Sequence, residues 1–301
     1  MDDEQFRVRA RRLRDLAEPI GANVYFAPEA HAAYEAVGLI PPPRAPGQRR
    51  ARLAPSYFAS RGACLGHPPG EVVAAAFGVF EPGFVAESVR QAWAVTDPAT
   101  LLSARELGAV ASLERILDPH SDRLGQIARA TDLLRSALDA APAGEGRALY
   151  SGLRSLGFPG SPLGDLWRAC DLLREHRGDS HIIAWVSIGL SPVEASISTE
   201  LWWRLPLREY TRTRGWSDEA IDAAIDRLRS DGLVHGDEYT PAGEAMRAEI
   251  EMITDRQERS IVSALGDDAD ELFELLAPLT SSIIAAKGYP GDPADRTRYN
   301  Q

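Results

Sequence analysis

Lysine is almost missing from this chain. All but one of its 33 basic side chains are arginine, and the exception is Lys287. Schiff-base chemistry or a phosphate-loop lysine would therefore have to use Lys287, and Lys287-Gly288-Tyr289 fits neither. Cysteine is as scarce. Cys64 and Cys170 have neither metal-site spacing nor the density of a secreted disulfide domain, so free thiols are expected. Long apolar runs are lacking too. The longest, 72–80 and 181–190, fall far short of the roughly 20 residues that cross a bilayer. The N-terminus carries Asp2, Asp3 and Glu4 among arginines and has no apolar signal core, so a cytoplasmic protein without a membrane partner is expected. Positive charge is in deficit. A net charge of -11 and a pI near 5.1 disfavour nucleic acid as a default partner. No G-x-S-x-G elbow, H-E-x-x-H pair, phosphate loop or dinucleotide fingerprint occurs, so the sequence names no cofactor, metal or reaction.

Helical periodicity is what the chain has in abundance. With 301 residues, 44% of them hydrophobic, it can bury a substantial core. Helices are predicted over 6–17, 28–37, 69–77, 82–95, 98–117, 121–140, 144–155, 162–176, 180–190, 192–201 and 206–213. Two long ones, 241–265 and 267–286, close the chain. From Asp237 to Glu274 twelve acids face three bases, which predicts a negative surface for these last helices. Between 39 and 70 a proline-, glycine- and arginine-rich stretch predicts a long irregular loop. The expected class is mainly α, with a helical domain over 1–155 that includes this loop. It packs on a winged helix-turn-helix unit with C-terminal helices over 156–301.

The segment 199–256 carries the most specific pattern. Ser217 suits an N-cap, Asp218 and Glu219 suit the positive end of a helix dipole, and Ile221, Ala224, Ile225 and Leu228 form one apolar face. Asp231-Gly232 stops that helix, Gly236-Asp237-Glu238 turns a short two-stranded wing, and Thr240-Pro241-Ala242-Gly243 opens a new helix. This order resembles the MarR-type winged-helix family, in which the matching helix enters the major groove. By the same resemblance, helices outside the winged unit would supply a homodimer interface. The charges conflict with groove entry. Asp218, Glu219 and Asp222 at the helix start, and Asp237 and Glu238 in the wing, would repel phosphates. A DNA-binding dimer would have to assemble its positive surface from Arg204, Arg208, Arg212 and Arg214, with the N-terminal arginines as a further source.

Over nearly its whole length the chain also resembles a family of actinobacterial helix-turn-helix proteins with no assigned activity. The resemblance is carried by 18–29 (EPIGANVYFAPE), 56–63 (SYFASRGA), Phe77, Phe80 and Pro82, and 173–181 (LREHRGDSH). Members of that family commonly have glycine where this chain has Ser180. The resemblance implies a fold and supplies no reaction.

Three groups of residues could carry chemistry. In 174–181, Gly178 is expected to end one helix and Asp179 or Ser180 to cap the next. His181 would then lie in a first turn, where the dipole lowers its pKa. Trp185 four residues on would share its face, so His181 could serve as base, donor or ligand at a pocket wall, or be an ordinary core histidine. The second group is aromatic. Tyr25, Phe26, Tyr57, Phe58, Phe77 and Phe80, with Arg61, Asn23, Glu29 and His67 as polar anchors, could wall a pocket for a planar ligand or simply pack the core. The third is the arginine cluster Arg44, Arg49, Arg50 and Arg52, a phosphate or acidic-partner site or a solvated loop. The reading favoured by charge is a winged-helix-like protein that binds a small apolar or aromatic molecule between its helical units. It would sequester that molecule or promote a cofactor-free reaction through His181. The alternative is a MarR-like, ligand-responsive DNA-binding dimer.

Overall fold

A computed structural model describes residues 2–40, 55–118, 121–142 and 144–291. The helices of the first half are α1 (Asp3–Ala22), α2 (Pro28–Ala36), α3 (Pro55–Gly62), α4 (Gly70–Phe77), α5 (Pro82–Trp93), α6 (Pro98–Leu117), α7 (Ser121–Asp139) and α8 (Ala148–Ser155). Those of the second half are α9 (Pro162–Ser187), α10 (Pro192–Trp202), α11 (Glu209–Arg212), α12 (Asp218–Ser230), α13 (Pro241–Gln257), α14 (Arg259–Leu265) and α15 (Ala269–Ala285). Strands β1 (Val234–His235) and β2 (Glu238–Tyr239) pair antiparallel between α12 and α13, Val234 opposite Tyr239. The mainly α class with a two-stranded wing is observed.

One local device sets many of the helix starts. An N-cap side chain accepts a backbone N–H of the first turn while proline, which has no N–H to satisfy, takes the first helical position. Glu81-Pro82, Asp97-Pro98, Ser161-Pro162, Ser191-Pro192 and Thr240-Pro241 all do this. Ser191 completes a capping box with Glu194.

The organising element is α9. It is buried along most of its length between Leu163 and Trp185, with α1, α6, α7, α8 and α13 packed around it. The main core runs from Leu13 to Tyr289 and takes side chains from both sides of residue 155. A separate core closes the winged unit, where Val193, Ile197 and Leu201 of α10 meet Ile221, Ile225 and Leu228 of α12 and Val234 of the wing. Between α9 and α10 the chain turns by 108°, and no single helix among the described residues is long and apolar enough to cross a membrane.

Several expected boundaries are corrected. There is no helix end at Gly178. α9 runs on for 26 residues, because one interior glycine costs about 1 kcal/mol while burial on nearly every side favours continuing. Asp179 caps a different helix, accepting the N–H of Tyr150 in α8 at 3.0 Å, and the Ser180 hydroxyl donates back to the His176 carbonyl at 2.8 Å. The stretch expected to be irregular over 39–70 contains α3, which carries Tyr57, Phe58 and Arg61. The helix over 241–265 breaks at Glu258 into α13 and α14. The face of α13 that carries Glu251 and Asp255 is buried rather than presented as a negative surface. The cluster of Arg44, Arg49, Arg50 and Arg52 lies outside the described residues.

Candidate functional site

α3 delivers the first assembly. Its Arg61 donates from Nε and Nη2 to both oxygens of Glu175 at 2.9 and 2.7 Å and from Nη1 to the Tyr57 hydroxyl at 2.8 Å. Arg174 donates to the same carboxylate at 2.7 Å. One turn away on α9, Asp171 accepts from Arg105 of α6 at 2.7 Å, and Arg105 also donates to the Tyr25 hydroxyl at 2.7 Å. Burial alone would raise the Glu175 pKa, but Arg61 and Arg174 outweigh it and hold the carboxyl at about 2. Burial and the nearby Glu175 carboxylate push the Cys64 thiol up to about 12, so Cys64 is no nucleophile at neutral pH.

Aromatic rings surround this charge cluster. Tyr25 and Tyr57 stand edge to face at 5.0 Å, Phe58 meets Phe77 at 5.5 Å and Phe80 at 5.0 Å, and the Arg61 guanidinium lies 4.3 Å from the Phe77 ring centre. The structure therefore brings together Tyr25, Tyr57, Phe58, Arg61, Phe77 and Phe80, though as a packed unit. A cavity beside it, lined by Arg61 but by none of these rings, measures about 10 Å³. Phe26 is apart from it, 44% exposed and edge-on to Tyr289. Asn23 donates to the Gly288 carbonyl, Glu29 pairs with Arg115 and His67 lies against Trp93, none of them inside the cluster.

The larger open space lies beside this cluster. A groove of about 420 Å³ runs between α4–α5 and the α9–α10 corner. Ala74, Ala75, Gly78, Gly83 and Ala86 form one shallow wall, and Ile182, Trp185, Val186 and Pro192 form the other, with Glu71 as the charged group. Gly78 has φ +60°, and a Cβ there would come within 2.9 Å of Ile182 and 3.0 Å of Trp185. Glycine thus both turns the chain and lets the two walls close. The indole Nε1 of Trp185 is buried and has no hydrogen-bond partner.

His181 does not line the groove. Its Nδ1 lies 3.1 Å from the Thr254 hydroxyl of α13, where burial first and the Arg247 charge second lower its pKa to about 3. The neutral imidazole expected from the sequence is present, but burial causes it instead of a helix terminus. Beside it α13 is held to the body by buried pairs. Asp255 accepts from Arg11 at 2.8 Å and Arg177 at 2.7 Å, and fully buried His176 meets Glu258 at 2.8 Å.

In the winged unit Arg208 pairs with Asp222 and Arg212 with Asp218 at 2.7 Å, so two of the four arginines that would face DNA are neutralised by the acids of α12 itself. Arg214 is sandwiched between the Tyr210 ring at 3.9 Å and the Phe80 ring at 4.8 Å. The turn leading into α12 is tied to the body. Trp216 Nε1 and the Ser196 hydroxyl both donate to the Val79 carbonyl, at 3.0 and 3.1 Å, and the Glu81 N–H donates to the Arg214 carbonyl at 2.9 Å.

Sequence reasoning missed Arg105, Asp171 and the small-residue wall. A signal existed for the first and the last. Arg105 falls on the apolar stripe of Leu101, Ala104 and Gly108, where a charge needs a buried partner, and Ala74, Gly78, Pro82 and Ala86 recur four residues apart.

Three helices followed by a two-stranded wing define a winged helix-turn-helix protein. A model described as a helix-turn-helix family matches residues 10–290, and the chain belongs to that family. No curated protein and no solved structure matches the chain.

Proposed function

We propose that this protein binds a small, largely apolar or aromatic molecule in the groove between α4–α5 and the α9–α10 corner, and that its winged helix serves the fold rather than DNA. The groove supports the first half of this reading. It has the size of a small-molecule site, with an indole on one wall and contributions from both sides of residue 155. Glu71 is its one ionisable group, so a neutral or cationic ligand suits it and an anion does not. Sequestration suffices for this geometry, since among the described residues Glu71 is the sole lining group that could take a proton. A cofactor-free reaction through His181 would require His181 to reach a ligand from the α13 side. The pairing of Arg208 and Arg212 with the acids of α12 supports the second half, because those carboxylates compete with phosphate for the cations whose counterion release drives non-specific DNA affinity.

Nile red, a neutral planar dye, tests the site. It should brighten on binding and quench tryptophan emission, and Ala86→Trp, which fills the groove, should abolish both effects while leaving the fold intact. Unchanged dye binding in that variant removes the groove from consideration. Heparin elution and a DNA shift assay between about 50 and 200 mM salt test the other half. A steep inverse salt dependence would establish the MarR-like regulator instead, with the Val79–Glu81 connection as the route from the groove to the turn before α12.

A further inference from the structure

We infer that the small cavity lined by α3, α6, α8 and α9 is a site for one internal water molecule, held as a permanent part of the fold. Ser60, Arg61, Cys64, Arg105, Asp171 and Glu175 supply its polar walls, and its volume of about 10 Å³ is close to the minimum that one water occupies.

The lining chemistry specifies the occupant. Arg105 Nη1, Asp171 Oδ1 and Ser60 Oγ are buried and have no hydrogen-bond partner in the protein, on residues that are 2%, 0% and 1% exposed. The first can only donate, the second can only accept, and the hydroxyl does either. A water that accepts from Arg105 and donates to Asp171 and Ser60 satisfies all three, which no ion does. A cation would meet the Arg61 and Arg105 guanidinium groups, and an anion would meet the Asp171 and Glu175 carboxylates.

The other arms of Arg105 and Asp171 are engaged. Arg105 Nη2 is committed to Asp171 Oδ2 and to the Tyr25 hydroxyl, both at 2.7 Å, which fixes the plane of its guanidinium. Asp171 Oδ1 is 4.0 Å from Arg174 Nη1, too far for a direct hydrogen bond and a spacing that water bridges. The Tyr34 hydroxyl lies against Ser60 and Arg105 at the same site, near both but outside hydrogen-bond geometry, and burial raises its pKa. The water would join α3, α6 and α9 at the point where the chain buries its densest charge.

A high-resolution crystal structure of the full chain, with Ser60→Ala and Ser60→Val alongside, decides the matter. The parent should show a single density peak within hydrogen-bond reach of Arg105 Nη1, Asp171 Oδ1 and Ser60 Oγ. Ser60→Ala should keep the peak on its two remaining partners. Ser60→Val should fill the space, lose the peak and unfold at lower urea. If Ser60→Val does not fold, the parent and the Ser60→Ala crystals still decide. No peak in the parent, with Arg105 Nη1 bonded directly to Ser60 or Tyr34, overturns the inference, as does density for a larger group.

Discussion

Arginine and carboxylate meet in two places in this molecule with opposite consequences. Around Glu175 the side chains of Arg61 and Glu175 are only 9% and 5% exposed, and the Arg61, Arg105 and Arg174 guanidinium groups lie over aromatic rings. Along α12, Arg208 with Asp222 and Arg212 with Asp218 are 40–58% exposed and bathed in water. In the first setting desolvation has already been incurred, so removing one partner strands a buried charge. In the second, water and salt screen the attraction, and a pair is worth little to stability. The exposed pairs matter for a different reason, because they decide what surface the helix offers to a polyanion. Charge counted along the chain says nothing about which of these roles an arginine plays.

The largest effect is expected where that contrast is greatest. Glu175→Ala should lower unfolding free energy by about 3–5 kcal/mol in a urea melt, through the uncompensated Arg61 and Arg174. A loss under about 1 kcal/mol would put the buried cluster on the same footing as the surface pairs. Next comes the groove wall. Gly78→Ala places a Cβ in a left-handed conformation and against Trp185, and should cost about 1–3 kcal/mol with a shift in tryptophan emission. Unaltered emission and stability would mean that the two walls are not packed as described.

Titration gives two smaller effects of opposite sign. His181 titrates near 6.5 when unfolded and near 3 when folded, so its stabilising contribution is complete above pH 6.5 and is lost as pH falls toward 3. His181→Gln should therefore flatten the acid limb of the stability curve. Asp179 is the reverse case. Burial raises its carboxyl from 3.8 to about 7, against the Tyr150 N–H that favours the charged form, so its contribution is present below pH 3.8 and lost as pH rises through 7. Asp179→Asn, which still accepts that N–H, should gain stability over the parent at pH 8 and not at pH 4. Parallel curves for parent and variant would show that neither group titrates as its burial dictates. The smallest effect on stability belongs to α12. The pair Asp218→Asn with Asp222→Asn should leave the urea midpoint where it was and yet delay elution from heparin, by freeing Arg208 and Arg212.

Much of the fold was legible because its signals are local. Capping residues followed by proline marked the starts of α5, α6, α9, α10 and α13, and Gly236-Asp237 marked the wing. Boundaries went astray where tertiary burial overrode a local cue. Gly178 looked like a helix stop and lies inside α9, while proline, glycine and arginine around α3 masked a helix that the core fixes in place. At the candidate site the aromatic residues could be nominated from the sequence. Their arrangement as packed walls around buried charge could not, since the partners Arg61 and Glu175 lie 114 residues apart.

The sequence by itself determined the winged helix, its acidic recognition-position helix and the scarcity of lysine and cysteine, because capping, periodicity and composition act over a few residues at a time. The tertiary structure alone decided which arginines are spent on carboxylates, that His181 faces α13 instead of the groove, and where open space remains between the walls. Burial, desolvation and cavity shape depend on which distant segments meet, and no short stretch of chain carries that information.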